Sequence, residues 1–225
     1  MTATATTPFV GDGVEGVLHR PTGAVVAGLV LTHGAGSNRD APLLRLLASA
    51  LADRGVATAR IDLPYRQRRP KGPPSPSTSP ADRDGIVAAC RLAREQIGAA
   101  VPLIVGGQSY GGRQASMVVA EDPGIVEGLL LTSYPLHPPG KPERARVEHL
   151  PRIMCPTVVV HGSSDPFATT AEITDAIALI PGPTTLVEIE KTGHDLRPDR
   201  APTIERTVVA VLDHLLGHRG PGGAD

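Results

Sequence analysis

The sequence predicts an α/β fold in which a mostly parallel central sheet is flanked by helices on both faces. Two observations carry that expectation. Short β-branched and apolar runs alternate with stretches of helical period along the 225 residues. Most of these runs are apolar on both faces, as strands buried in a parallel sheet must be. Strand–helix alternation of this kind builds a covered parallel sheet, with ligand sites in the loops beyond the carboxyl ends of the strands. At 40% hydrophobic residues, the chain is large enough for one sizeable core.

Taken in order, residues 1–13 read as a flexible N-terminus, and 14–217 as one domain. "VEGVLHRP" (14–21) is polar enough and alternates enough to be an antiparallel edge strand. "AGLVLTHG" (27–34) is the first central strand. A helix is predicted over 40–54, with Asp40 as N-cap, an apolar face of Leu43, Leu44, Leu46, Leu47, Ala50 and Leu51, and Gly55 as its stop. "VATARIDL" (56–63) is the next strand. "PKGPPSPSTSP" (70–80) is a surface loop or flap, too polar to pack. A helix over 82–97 turns Ile86, Val87, Cys90, Ala93 and Ile97 inward. Strand "VPLIVGG" (101–107), helix 110–121 and strand "VEGLLLTSY" (126–134) follow. Only 22 residues separate Tyr134 from Thr157, enough for a loop and a short helix but not for a lid domain. "PTVVVHG" (156–162), helix 169–179, "TTLVEIE" (184–190) and helix 203–217 complete the domain. Residues 218–225 read as a disordered tail.

Composition excludes several function classes. A net charge of −1 gives no global basic field for nucleic acid or an anionic membrane. The longest apolar run, Ala24 to Leu31, falls far short of the about 20 residues a spanning helix needs. The N-terminus lacks the basic and apolar regions of a secretory signal. Two cysteines, Cys90 and Cys155, sit in apolar surroundings without metal-ligand spacing. A cytoplasmic, reducing location is expected, with no metal and no cofactor.

The chemistry centres on "VGGQSYGGR", Val105 to Arg113. Gly107-Gln108-Ser109-Tyr110-Gly111 is G-x-S-x-G between a predicted strand and a predicted helix. A strand reversing sharply into a helix strains the residue at its tip and presents that side chain beside the positive helix N-terminus. A serine hydroxyl there needs a base, and the base needs an orienting acid. The same sheet edge offers both. Asp165 follows strand 156–162 in "HGSSDPF", and His194 follows strand 184–190 in "KTGHDL". Asp195 competes as the acid, but a sequence neighbour rarely faces the imidazole. His161 competes as the base, but it lies within its strand end. The oxyanion donors are expected to be the backbone amides of Tyr110, just after the serine, and Ala35, in "LTHGAGSN".

With these residues in place, the chain resembles the α/β-hydrolase superfamily. "THGAGSNRD", "RIDLPYRQ" followed by "KGPP", "GGQSYGGRQAS", "YPLHPPGKPER", "HGSSDPF" and "GHDL" are similar to a family of small hydrolases related to dienelactone hydrolase, which includes testis-expressed eukaryotic proteins and a domain of a histone-acetyltransferase complex. The resemblance covers roughly 14–216. It implies the α/β-hydrolase fold and carries the triad over as Ser109, Asp165 and His194. Serine stands where dienelactone hydrolase has cysteine, which argues against a dienelactone substrate.

Together these readings predict a serine hydrolase that cleaves a small-molecule ester or thioester through an acyl-enzyme. A catalytically idle interaction module on the same fold is the alternative. Four of the five aromatics, Tyr65, Tyr110, Tyr134 and Phe167, follow strand ends and are expected to converge around Ser109 as a substrate pocket, with Arg113 beside them. "RIDLPYRQRRPK" (60–71) carries five basic residues, read as a solvated loop or as a mouth for anionic esters.

Overall fold

The computed structural model describes residues 5–217. Eight strands form one sheet in the order β1-β2-β4-β3-β5-β6-β7-β8. They are β1 (Ala5–Gly11), β2 (Val14–Arg20), β3 (Ala27–Thr32), β4 (Val56–Asp62), β5 (Leu103–Gln108), β6 (Gly128–Thr132), β7 (Thr157–Gly162) and β8 (Thr184–Ile189). The pairs β1/β2 and β2/β4 are antiparallel, and every other pair is parallel.

The two-residue period of the strands divides the core between the two faces of the sheet. Val30, Val105, Leu129, Leu131 and Val159 point to one face, where they meet α3 (Ser79–Ile97), α4 (Tyr110–Glu121) and α5 (Thr170–Ile177). Leu29, Leu31, Ile104, Leu130, Val158 and Val160 point to the other, where they meet α1 (Pro42–Ala52) and α6 (Thr203–Ala210), which runs on into a π-helical turn over 211–215. A short helix α2 (Pro64–Arg68) follows β4. Cys90 and Cys155 are buried and unpaired. Burial pushes their thiols up to about 12 and about 11, so both are packing residues rather than nucleophiles.

Three expectations need correction. Residues 5–11 are not flexible but form the outermost strand, and β2 is therefore not an edge. Phe9 is fully buried and anchors β1, while Gly11 pairs with Val14 across a two-residue turn in which Asp12 and Gly13 both have positive φ, 49° and 76°. That is the geometry for which Asp-Gly is favoured. Asp40 does not cap α1. Ala41 holds that position with Pro42 next to it, and the Asp40 carboxylate instead accepts from Arg60 Nη1 at 2.9 Å. The tail expected over 218–225 lies outside the described residues, as do residues 1–4.

Between β6 and β7 the chain forms only two single-turn 3₁₀ segments, 142–144 and 150–152, and no large cap covers the sheet. No described helix is long and apolar enough to cross a membrane.

Candidate active site

The carboxyl ends of the parallel strands share one rim, and the functional side chains rise from it. β5 ends at Gln108, and α4 begins at Tyr110. Ser109 between them has φ 51° and ψ −117°, a conformation that costs a non-glycine residue on the order of 1–3 kcal/mol. The neighbouring glycines are required by close approach. A Cβ on Gly107 or Gly111 would run into the Thr32 hydroxyl at the end of β3. The turn is held by Ser109 N–H donating to Thr132 O at 2.9 Å and Arg113 N–H donating to Ser109 O at 2.9 Å.

His194, in the loop after β8, places Nε2 2.8 Å from Ser109 Oγ and Nδ1 2.8 Å from Asp165 Oδ2. A carboxylate only accepts, so Nδ1 carries the proton, and Nε2 is free to accept from the serine hydroxyl. The Asp165 side chain is fully buried, and its second oxygen takes Phe167 N–H at 2.9 Å. The Phe167 ring lies 4.2 Å from the His194 ring, centroid to centroid, and Ser133 Oγ donates to His194 O at 2.7 Å. Three loops thus fix the imidazole. Asp165, not Asp195, faces Nδ1. His161 is wholly buried in β7, where desolvation lowers its pKa, and it is His194, not His161, whose ring nitrogen meets Ser109 Oγ.

The segment after β3 packs against the serine: a Cβ built on Gly34 would lie 3.6 Å from Ser109 Cβ. Its orientation is set by His33 and Arg66, which sequence reasoning did not single out, and by Tyr65, which it placed in the substrate pocket. His33 is buried, and desolvation lowers its pKa, so the ring is neutral. Nδ1–H donates to Gly34 O at 2.9 Å, while Nε2 accepts Leu63 N–H at 3.2 Å. The Tyr65 hydroxyl donates to Ala35 O at 2.8 Å and stands 3.3 Å from Gly34 O. In a trans peptide the carbonyl of Gly34 and the N–H of Ala35 point in opposite directions. Tying the carbonyl back turns the amide away from His33 and Tyr65. Arg66, also buried, adds bonds to Ser37 O at 2.7 Å, Ala35 O at 3.2 Å and Gly72 O at 3.0 Å. Among the described residues, the amides of Ala35 and Tyr110 have no hydrogen-bond acceptor.

The aromatic residues expected around Ser109 differ in their surroundings. Tyr65 and Tyr134 are only 3% and 2% exposed, and their hydroxyls are committed to backbone carbonyls. Tyr134 donates to Arg146 O at 2.6 Å. Tyr65 packs edge-on against both Tyr110 and His33. Phe167 alone stacks on the histidine of the site. The basic stretch 60–71 is likewise partly structural, since Arg60 and Arg66 are buried against protein acceptors.

Among the described residues, no group of three or more His, Cys, Asp or Glu side chains is placed to hold a metal ion.

A family model described as an alpha/beta hydrolase domain matches residues 25–215. Among solved structures, the chain is similar to a dienelactone hydrolase from Anabaena variabilis, with 22% identity, 94% of this chain and 97% of that chain covered, and TM-score 0.71. It is similar to TT1662 from Thermus thermophilus, with 21% identity, 97% and 100% coverage, and TM-score 0.75. A third similar structure is XC6422 from Xanthomonas campestris, described as an a/b serine hydrolase without lid, with 16% identity, 100% and 98% coverage, and TM-score 0.66. At these identities the likeness is one of fold.

Proposed function

The chain belongs to the alpha/beta hydrolase domain family, and from that premise we propose that it is a serine hydrolase cleaving a carboxylic ester or thioester of a small molecule. One observation carries the reading: the hydroxyl of a strained elbow serine, an imidazole and a buried carboxylate stand in file at 2.8 Å and 2.8 Å. Three segments far apart in sequence have no packing reason to meet in that order.

Ser109 Oγ attacks the acyl carbon as His194 Nε2 takes its proton. The negative charge that develops on the carbonyl oxygen is stabilised by the Tyr110 and Ala35 amides. His194 returns the proton to the departing alcohol or thiol, leaving an acyl-enzyme. Water, deprotonated by the same imidazole, then releases the acid and restores Ser109. Asp165 holds the ring in the working tautomer and stabilises the imidazolium.

The short connection between β6 and β7 favours an open site and compact substrates, in keeping with the lidless hydrolase among the similar folds. Phe167, stacked on His194, and Arg113 are the remaining candidates for substrate contact at the rim. A panel of p-nitrophenyl esters graded in acyl length and charge tests the reading. Wild type is expected to turn over the short esters, and Ser109→Ala none. Equal rates for the two proteins would refute it.

A further inference from the structure

We propose that Asp82 is a positioning residue for the oxyanion hole, its one carboxylate fixing the segments that carry both donor amides. This inference rests on the hydrolase reading above. Asp82 lies in the first turn of α3 and is completely buried, with no ion pair among the described residues. An isolated buried carboxylate is costly unless hydrogen bonds replace its water. Here each oxygen has a close donor. Oδ1 accepts Tyr65 N–H at 2.9 Å, and Oδ2 accepts the Tyr110 hydroxyl at 2.7 Å. The Thr78 hydroxyl stands 3.5 Å from Oδ2.

The two close donors belong to the two halves of the oxyanion hole. Tyr110 supplies one amide from its own backbone. Tyr65, held by its N–H, reaches with its hydroxyl to the carbonyls of Ala35 and Gly34, whose orientation aims the other. The two tyrosine rings meet edge-on, 5.8 Å between centroids, and Ser79 Oγ lies 3.2 Å from the Tyr110 hydroxyl. Burial raises the pKa of the Tyr110 hydroxyl far above its ordinary value, so it remains a donor. Asp82 occupies the apolar stripe of α3 that continues through Ile86, Cys90 and Ala93. An apolar side chain would pack there without the desolvation cost. A carboxylate there can do what packing cannot, which is to hold two donors on diverging loops at a fixed separation.

The test compares wild type with Tyr110→Phe, Asp82→Ala and Asp82→Asn. The readouts are kcat and KM on a short p-nitrophenyl ester, Ki for an alkyl trifluoromethyl ketone, melting temperature, and fluorophosphonate labelling of Ser109. The ketone adds to the serine and places an alkoxide in the oxyanion hole, so its affinity reports donor alignment. Tyr110→Phe is expected to lower kcat about 10-fold and raise Ki by the same factor, with KM within about 2-fold. Asp82→Ala is expected to lower kcat about 100-fold, and Asp82→Asn to recover about 10-fold of that, because its carbonyl still accepts Tyr65 N–H. If Asp82→Ala does not fold, Tyr110→Phe and Asp82→Asn decide. Folded variants with unchanged kcat and Ki, or with KM and kcat altered while Ki stays fixed, overturn the proposal and leave the hydrolase reading intact. A wild type that neither cleaves esters nor labels at Ser109 overturns both.

Discussion

Two buried carboxylates in the surroundings of the serine elbow keep different company, Asp165 against His194 and Asp82 against the Tyr110 hydroxyl. Asp165 faces the imidazole of His194, the group that takes the serine proton in the proposed mechanism, and it shares its other oxygen with a backbone amide. Asp82 faces a tyrosine hydroxyl and a backbone amide, neither of which passes a proton in that mechanism. Burial drives the Tyr65 hydroxyl up to about 12 and raises that of Tyr110 as well. In the proposed mechanism the same functional group serves proton transfer beside Ser109 in one case and rigid placement of the donor amides in the other. The difference lies in the partner, not in the acid.

The largest effect is expected on the proton-transfer side. Asp165→Asn leaves the geometry nearly intact but favours the wrong tautomer of His194, and kcat is expected to fall about 10⁴-fold. Steady-state kinetics with the melting temperature unchanged would check this. A loss as small as that of Asp82→Asn would erase the contrast between the two acids. The Asp82 series comes next, with the losses given above.

Tyr65→Phe should come third. It removes the hydroxyl from the Ala35 and Gly34 carbonyls but keeps the amide bond to Asp82. A several-fold drop in kcat and about 1 kcal/mol of stability are expected, read from kinetics and denaturant melts. Unchanged kcat would show that His33 and Arg66 orient the peptide without it.

Two buried histidines that do not touch Ser109 set the acid background against which both carboxylates are to be measured. Burial lowers His19 and His149 to about 4 in the folded protein. Between about 6.5 and 4 the unfolded chain binds protons that the folded one refuses. Stability is therefore full above that window and lost as pH falls through it, by on the order of 1–2 kcal/mol per histidine. Melting temperatures from pH 7 to pH 4 should fall for wild type and fall less for His149→Gln. At the other extreme, Gly13→Ala in the outer hairpin should cost about 1 kcal/mol and leave kcat unchanged, because it strains only a positive-φ turn.

The sequence already holds the row of chemistry because each member follows a strand of strong pattern. Ser109 lies between "VPLIVGG" and a helix, and Asp165 and His194 follow apolar strands. The supporting residues are harder to see, since their roles depend on contacts across the rim. His33, Arg66 and Asp82 look like a glycine-loop neighbour, one of five basic residues and a first-turn acid. One sign of Asp82 is legible: it continues the stripe of Ile86, Cys90 and Ala93, where a carboxylate is out of place. β1 escaped because "TATTP" lacks an apolar alternation. Yet "GDG" between Val10 and Val14 is a hairpin signal, and Phe9 is the one large side chain the strand buries. Tyr65 and Tyr134 were placed by topology, which locates a residue near the rim but does not say which way its ring turns.

Intact-mass spectrometry after reaction with a fluorophosphonate, followed by peptide mapping, tests the central claim most directly. One adduct per chain on Ser109 is expected in wild type, and none in Ser109→Ala or in folded His194→Ala. A folded wild type left unmodified, or modified at a residue other than Ser109, would contradict the account.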